Sequence, residues 1–262
     1  MSASTNTYVY GVIPAANARR WPKTGGIDGA SRPVRTVVEG ELAALVSDVA
    51  ADRTPGRRED VEIHRRVLAK AIERSTTVPM RFGIVMPDDD AVREHLLTRH
   101  GDELGELVES LDGRVQMSVK AFYADDALLR DALAANPELA RQSAELGPAA
   151  DPEEQAAHVR VGELVAQAVD ARRAEVESAL VGELSALADD VQVDPPNGER
   201  GALNAQMLVR RDRRPELDEK VHELGEALKG QLAFRYVGPL PPYSFSAVSL
   251  AEDEDEDEDE DE

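Results

Sequence analysis

The side chains able to perform chemistry are scattered along this 262-residue chain and form no recognisable catalytic motif. The chain has no cysteine, which excludes disulfides, thiolate nucleophiles and cysteine-ligated metals. Five histidines are present, but none of them pair at metal-ligand spacing: His64, His95, His100, His158 and His222. We therefore expect structural histidines and no bound metal.

Three short polar segments suggest a ligand or a catalytic role, and each has a simpler interpretation. The glycine-rich loop 23–29 leads into a strand, whereas a phosphate-binding loop leads directly into a helix. The acids at 88–90 could hold Mg²⁺, but acids at a helix start more often act as caps and dipole partners. Segment 75–77 has no base at a fixed spacing. The sequence thus predicts no catalytic residue and no cofactor, and the chain is expected not to be an enzyme.

The charge distribution excludes several classes of partner. The formal net charge is −22, and eleven of the 52 acidic residues form an uninterrupted run at 252–262. Without that run, 41 acidic and 30 basic residues remain, so the body of the chain also repels nucleic acid. No apolar run approaches the length of a membrane span, and the N-terminus lacks the features of a signal peptide. We expect a cytoplasmic protein with no nucleic-acid or membrane partner.

Hydrophobic patterning predicts an α+β fold with two domains. The first, 1–112, is expected to be an α/β sandwich, with an initial loop at 15–33. Its predicted elements are strands at 7–13, 34–38, 42–49 and 78–86, a helix at 57–74, and a second helix from 88–90 to about 111 that is interrupted near Gly101.

The second domain, 113–249, is predicted from the order strand, helix, strand, strand, helix, strand. This βαββαβ order is that of a modified ferredoxin-like domain, with a helical insertion at 125–146. A helix capped by Asp151 should run to about Leu187, a length of roughly 50 Å, with Leu164, Leu180 and Leu184 along one apolar side. The strands are expected at 115–123, 191–193, 203–210 and 232–237, and the second helix between Pro215 and Gly230. Strand 115–123 alternates and should be half-buried, with Gln116 and Ser118 on its polar face, and the Gly238-Pro239 segment should leave the sheet. The tail 250–262 is predicted to be disordered, either as a solvated end or as a loose ligand for basic partners or Ca²⁺.

Two features remain as candidate partner-binding residues. Arg81 interrupts the apolar strand 78–86 and, if buried, needs either an ion pair with a helix acid or a partner protein to bind. The proline-rich segment after the last strand could form an exposed binding edge or a strap across the core. The candidate residues are Arg81, Phe82, Tyr236, Pro239, Tyr243 and Phe245.

Several blocks together resemble the gas vesicle protein F/L family, and they occur in the family's order. The more specific ones are 78–83 (VPMRFG) and 234–245 (FRYVGPLPPYSF). The other blocks are 7–14 (TYVYGVIP), 34–49, 114–123 (RVQMSVKAFY) and 203–209 (LNAQMLV). The acidic tail departs from the family pattern.

The resemblance implies a role in building gas vesicles, the hollow protein shells that give some microbes buoyancy. It further implies a two-domain fold and binding of the major, small hydrophobic shell protein during nucleation, alongside other accessory proteins, with retention as a minor component on the gas-facing side. It supplies no catalytic residue. The alternative is a small-ligand or nucleotide-binding sensor or enzyme, because ferredoxin-like scaffolds host many functions.

The tail can be tested by deletion. Removing residues 252–262 is expected to leave the melting temperature unchanged and to lower solubility, because the run supplies half of the net charge but no apolar side chain. Thermal denaturation and a precipitation assay measure the two effects. A large fall in melting temperature would show instead that the tail packs on the body.

Overall fold

The computed structural model describes residues 4–18, 24–148 and 151–247. These residues divide into two units: unit one contains the described residues up to Asp112 together with 241–247, and unit two is Gly113–Leu240. The predicted disordered tail lies outside the described residues, as does part of the predicted loop 15–33. The two units are described separately below.

Unit one is built on an antiparallel sheet with the order β4-β5-β1-β6, and β7 also pairs with β1. The central strand is apolar on both faces, and its side chains from Tyr8 to Ile13 are almost fully buried. The strands are β1 (Thr5–Pro14), β2 (Gly25–Gly26), β3 (Gly29–Pro33), β4 (Arg35–Glu39), β5 (Leu42–Ala50), β6 (Val78–Pro79) and β7 (Val85–Met86). The helices are α1 (Ala15–Ala18), α2 (Arg58–Ile72), α3 (Asp89–Ala91), a π-helix (Val92–Thr98) and α4 (Gly101–Ser110), with a 3₁₀ turn at Tyr243–Phe245.

The start of α2 is fixed by a buried carboxylate. Asp60 is 1% exposed and accepts the backbone N–H groups of Gly56 and Arg57, each at 3.0 Å. Its second oxygen binds the guanidinium of Arg53, which also binds Asp28. Burial alone would raise the pKa of Asp60, but these hydrogen bonds and the guanidinium hold it below its ordinary value. The network joins the start of α2 to the chain beyond β5 and to the β2–β3 turn.

Two predictions for unit one are wrong in detail. The strand expected at 78–86 is divided by a turn at Phe82 and Gly83, where Gly83 has φ +100°. A side chain is disfavoured in that conformation, so the glycine permits the turn. The loop expected at 15–33 contains α1 and the β2–β3 hairpin. A Cβ added at Gly26 would lie 2.4 Å from Ser47, so this hairpin requires glycine to approach the sheet.

Unit two contains the element order predicted from the sequence. Its sheet has the order β11-β8-β10-β9, with every pair antiparallel. The strands are β8 (Arg114–Tyr123), β9 (Asp190–Val193), β10 (Gly201–Arg210) and β11 (Leu232–Leu240). The helices are α5 (Ala127–Ala135), α6 (Pro137–Glu145), α7 (Pro152–Ser185) and α8 (Arg214–Ala227).

Strand β8 was expected to expose one polar face, and this is wrong. Gln116 and Ser118 are 5% and 7% exposed, although their positions alternate with the apolar core residues. The amide of Gln116 donates to Gln206 Oε1 on β10 at 3.1 Å. This hydrogen bond satisfies polar groups that would otherwise be costly to bury.

Strand β11 also differs from expectation. The Gly238-Pro239 segment was predicted to leave the sheet, yet the strand continues and Leu240 pairs with Gln116 of β8. An irregularity in register between Val237 and Leu240 accommodates the two intervening residues. Since β11 is an edge strand, the missing N–H of Pro239 need not remove a ladder hydrogen bond.

The long helix α7 is buried only near its C-terminal end. Asp151 caps it as predicted and accepts the N–H groups of Glu153 and Glu154 at 2.9 and 2.8 Å. Leu180 and Leu184 are its buried residues, whereas Leu164, expected on the same apolar side, is 47% exposed. Helix α7 also packs against α5 and α6, and Leu164 and Ala168 of its first half line a groove beside α6.

This difference along α7 is measurable. Leu184→Ala is expected to cost about 2–5 kcal/mol of unfolding free energy, because it opens a cavity in the core. Leu164→Ala on the same helix should cost under about 1 kcal/mol, since surface substitutions rarely cost more. Chemical denaturation of the two variants provides the comparison, and equal losses would show that the first half of α7 is packed as tightly as the second.

Candidate partner-binding site

A chain of hydrogen bonds runs through the aromatic centre of unit one. The N–H of Gly83 donates to Tyr8 Oη at 3.1 Å, and Tyr8 Oη lies 2.8 Å from His64 Nδ1. His64 Nε2 lies 3.0 Å from Tyr243 Oη. The ring of Tyr10 stacks on that of His64, with 5.6 Å between the ring centroids. Strand β1, helix α2, the turn after β6 and the C-terminal segment therefore meet at one imidazole.

The two hydroxyl groups beside His64 suit a neutral ring. Either ring nitrogen can carry the proton, because the hydroxyls of Tyr8 and Tyr243 can each donate or accept. Burial lowers the pKa of His64 to about 4, so the ring is neutral at neutral pH. Sequence reasoning treated His64 only as a structural histidine and missed these partners, which lie 56 and 179 residues away.

The segment 241–247 belongs to unit one. Pro242 and Ser246 are buried, and Ser246 Oγ donates to the carbonyl of Pro242 at 2.7 Å. Tyr243 is bound to His64 through its hydroxyl but remains 41% exposed, and burial raises its pKa to about 12. Phe245 is half-buried. The segment is therefore held to unit one while still presenting part of an aromatic ring.

Arg81 is not buried, contrary to the expectation from the sequence. The side chain is exposed, because the chain turns directly after the two-residue strand β6. The expected burial and the need for a buried ion pair are therefore wrong. Its neighbour Phe82 is half-buried, and the centroid of its ring lies 5.7 Å from the centroid of the His64 ring.

The remaining candidate residues lie in unit two, on β11. Tyr236 is half-buried, and its hydroxyl donates to Asp218 Oδ1 on α8 at 2.8 Å. Burial and this carboxylate raise the pKa of Tyr236. Pro239 is half-buried at the irregularity in the strand. The structure thus brings Phe82 and Tyr243 together around His64 and places Tyr236 and Pro239 in the other unit.

A further apolar surface, not anticipated residue by residue, lies on the helices of unit two. A groove of about 560 Å³ lies between α6 and the first half of α7. Leu139, Leu164 and Ala168 contribute to its walls. In the same group of helices, Leu129 is 42% exposed and Val159 is 57% exposed. Large apolar side chains exposed in this way are a common feature of surfaces that bind protein partners.

Neither a metal site nor a membrane-spanning helix is found within residues 4–18, 24–148 and 151–247. No cluster of three or more histidine, aspartate or glutamate side chains is arranged to hold a metal ion there. None of the helices in that part of the chain combines the length and the apolar character needed to cross a membrane.

The comparison with known proteins identifies the family. The profile described as "Gas vesicle synthesis protein GvpL/GvpF" matches residues 6–247. The chain belongs to this family. It is 40% identical to gas vesicle protein F of Streptomyces sp. (strain CB03234) over 92% of this chain and 99% of that protein. It is 26% identical to gas vesicle protein F of Dolichospermum flosaquae over 91% and 96% of the two chains.

Solved structures of the family have the same mixed helix and sheet fold. The crystal structure of GvpF from Anabaena sp. PCC7120 matches with a TM-score of 0.82 and 25% identity, over 94% of this chain and all of that one. GvpF from Microcystis aeruginosa matches with a TM-score of 0.76 and 26% identity, over 93% and 99%. These matches agree with the family resemblance seen in the sequence.

The buried imidazole predicts a pH dependence of stability. The pKa of His64 is about 4 in the folded state and about 6.5 when unfolded, so its contribution is complete above pH 6.5 and is lost as the pH falls toward 4. Lowering the pH from 7.5 to 5.5 should therefore reduce the free energy of unfolding by about 1 kcal/mol through His64. Urea denaturation of the wild type and of His64→Gln at both pH values isolates the part of the stability loss that is due to His64.

The matched control is His222→Gln, which removes an exposed histidine from α8. This variant should lose as much stability on acidification as the wild type, whereas His64→Gln should lose less. Both pH values lie above the sequence isoelectric point of about 4.6, which limits precipitation. Equal acid losses in His64→Gln and the wild type would refute the assignment of a neutral buried imidazole.

Proposed function

We propose that this chain is a gas vesicle assembly protein and minor vesicle component that binds the small hydrophobic shell protein and limits its aggregation during nucleation. Family membership supports the gas vesicle role. The observation that carries the binding proposal is the apolar groove between α6 and α7 with exposed Leu164 in its wall. A protein that shields an aggregation-prone partner needs accessible apolar surface of this kind.

The size of the apolar surface limits what one groove can achieve. Fully burying an aliphatic side chain is worth about 1.5–3 kcal/mol, and these side chains are already partly covered. A few of them contribute only part of the energy of a stable complex, since association itself is costly. We therefore propose that Arg81, Phe82, Tyr243 and Phe245 in unit one, with Tyr236 and Pro239 in unit two, add further contacts. Exposed Arg81 is available to a carboxylate of a partner.

The proposal extends to the organisation and activity of the chain. We propose that 1–112 forms an N-terminal α/β domain and 113–249 a modified ferredoxin-like domain. The strand order β11-β8-β10-β9 and the antiparallel pairing support the second assignment. We also propose that the protein has no catalytic activity and resides in the gas vesicle, in agreement with the names of its relatives. The net charge of −22 would help to keep a complex with an apolar partner dispersed.

Binding is tested by co-expression with the shell protein and co-purification at about 0.1 M and about 1 M salt. An apolar contact should survive high salt, because screening weakens charge attraction but not apolar burial. Leu164→Ser should reduce recovery of the shell protein, whereas Val193→Ser, which changes an exposed aliphatic residue on β9, should not. Replacing Tyr243 and Phe245 by asparagine and serine tests the C-terminal segment in the same assay.

The outcomes separate the parts of this proposal. Failure to co-purify at either salt concentration argues against direct binding. Loss of the complex only at high salt would replace the apolar contact by a charge-driven one. Equal recovery with Leu164→Ser and Val193→Ser would leave binding intact and remove the α6–α7 groove from it.

A further inference from the structure

A narrow cleft of about 330 Å³ lies in unit two, bounded by α5, the second half of α7, α8 and the start of β11. Its walls are mainly apolar: Val176, Ala179 and Leu180 of α7 face Leu224 of α8 and Leu228, which follows that helix, and Tyr123 at the end of β8 also lines it. None of these residues lines the α6–α7 groove, so this cleft is a separate site.

The spacing of the lining residues gives the cleft an elongated shape. Along α7, Glu175, Ala179 and Glu183 follow one another at intervals of four residues, which places them in a row of about 12 Å. Leu224 and Leu228 lie one helical turn apart. Rows with helical spacing match a groove that takes the apolar face of another helix, with side chains entering at intervals of four.

One polar group in the cleft lacks the partner that burial requires. Tyr123 is 4% exposed, and its hydroxyl has no hydrogen-bond partner among the residues that the structure describes. A buried hydroxyl without a partner is destabilising, and native proteins rarely leave one unsatisfied. An occupant that brings an acceptor oxygen into the cleft would remove this cost.

The charges around the cleft select against an acidic occupant. Three carboxylates line it, those of Asp131, Glu175 and Glu183. Arg172 binds Asp131 at 2.6 Å and Glu175 at 3.0 Å, and Lys220 binds Glu183 at 2.5 Å. Two cations therefore face three anions, which leaves one negative charge. Because Glu175 is 66% exposed, an added pair there is worth little and tunes the choice of partner more than its affinity.

We propose that this cleft binds a helical segment of a partner protein with aliphatic side chains four residues apart, a hydroxyl or carbonyl oxygen that accepts from Tyr123, and a lysine or arginine that meets Glu175. The inference goes beyond the proposed function and does not depend on it. A chain that failed to bind the shell protein would still bind such a segment here.

The test uses the full chain and a fluorescent, hydrocarbon-stapled helical peptide with two leucines four apart, a serine between them and a flanking lysine. Fluorescence anisotropy should show saturable binding. Ala179→Glu places a charged side chain in the cleft and should weaken binding by roughly tenfold or more. Ala174→Glu adds the same charge at an exposed position of α7 outside the cleft and should change binding by less than about twofold.

Tyr123→Phe separates binding from folding. Since the hydroxyl has no hydrogen-bond partner within residues 4–18, 24–148 and 151–247, removing it should leave the melting temperature unchanged or raise it. The same variant should weaken peptide binding by roughly fivefold, the value of one hydrogen bond. A structural role for the hydroxyl would lower the melting temperature and leave binding unaltered, and that result would contradict the proposal.

The peptide itself provides the remaining comparisons. Replacing both leucines by serine should abolish binding, and replacing the lysine by glutamate should weaken it by a few-fold. Absence of saturable binding by the leucine peptide, or equal binding to wild type and Ala179→Glu, would overturn the proposal. Melting temperatures of both glutamate variants are expected to match the wild type, because each alanine is exposed.

Discussion

The hydrogen bonds around the neutral imidazole of His64 hold the segments of unit one together. His64 is 1% exposed, its Nδ1 lies 2.8 Å from Tyr8 Oη, its Nε2 lies 3.0 Å from Tyr243 Oη, and it stacks on the ring of Tyr10. A charged imidazole in this position would be costly to bury, and an apolar side chain would remove a hydrogen-bond partner from the hydroxyls of Tyr8 and Tyr243. One ring thereby ties β1, α2, the turn at Gly83 and the C-terminal segment to a single arrangement, in a chain with only 4% aromatic residues.

The elements that sequence reasoning predicted well are those with a strong local pattern. Helix α7 was predicted from its cap at Asp151, and β1, β5 and β8 from their apolar or alternating residues. The errors arose where tertiary contacts override a local pattern. Segment 78–86 is apolar apart from Arg81 and looked like one strand, but Gly83 turns the chain and its N–H donates to Tyr8. Similarly, Gln116 looked like a solvent-facing residue because its partner, Gln206, is 90 residues away.

The candidate site was less predictable than the fold, because its chemistry depends on contacts between distant segments. The motif at 78–83 drew attention to Arg81 and Phe82, but only the fold shows that the first is exposed and the second packs near His64. The proline-rich ending was equally consistent with a strap and with a binding edge. In the structure, Tyr243 has features of both, since its hydroxyl is bonded to His64 and 41% of the residue is exposed. No local signal distinguishes such a residue from a fully buried tyrosine.

Helix α7 shows why a periodic apolar pattern does not by itself identify a core. Its second half supplies Leu180 and Leu184 to the core, and burial there stabilises the fold directly. Its first half has the same kind of residues, but Leu164 there stays 47% exposed beside α6. Apolar exposure on this scale contributes little to folding, yet the same area is available to a partner at no cost to the core. A helix longer than its sheet can therefore stabilise the fold with one half and present apolar side chains to a partner with the other.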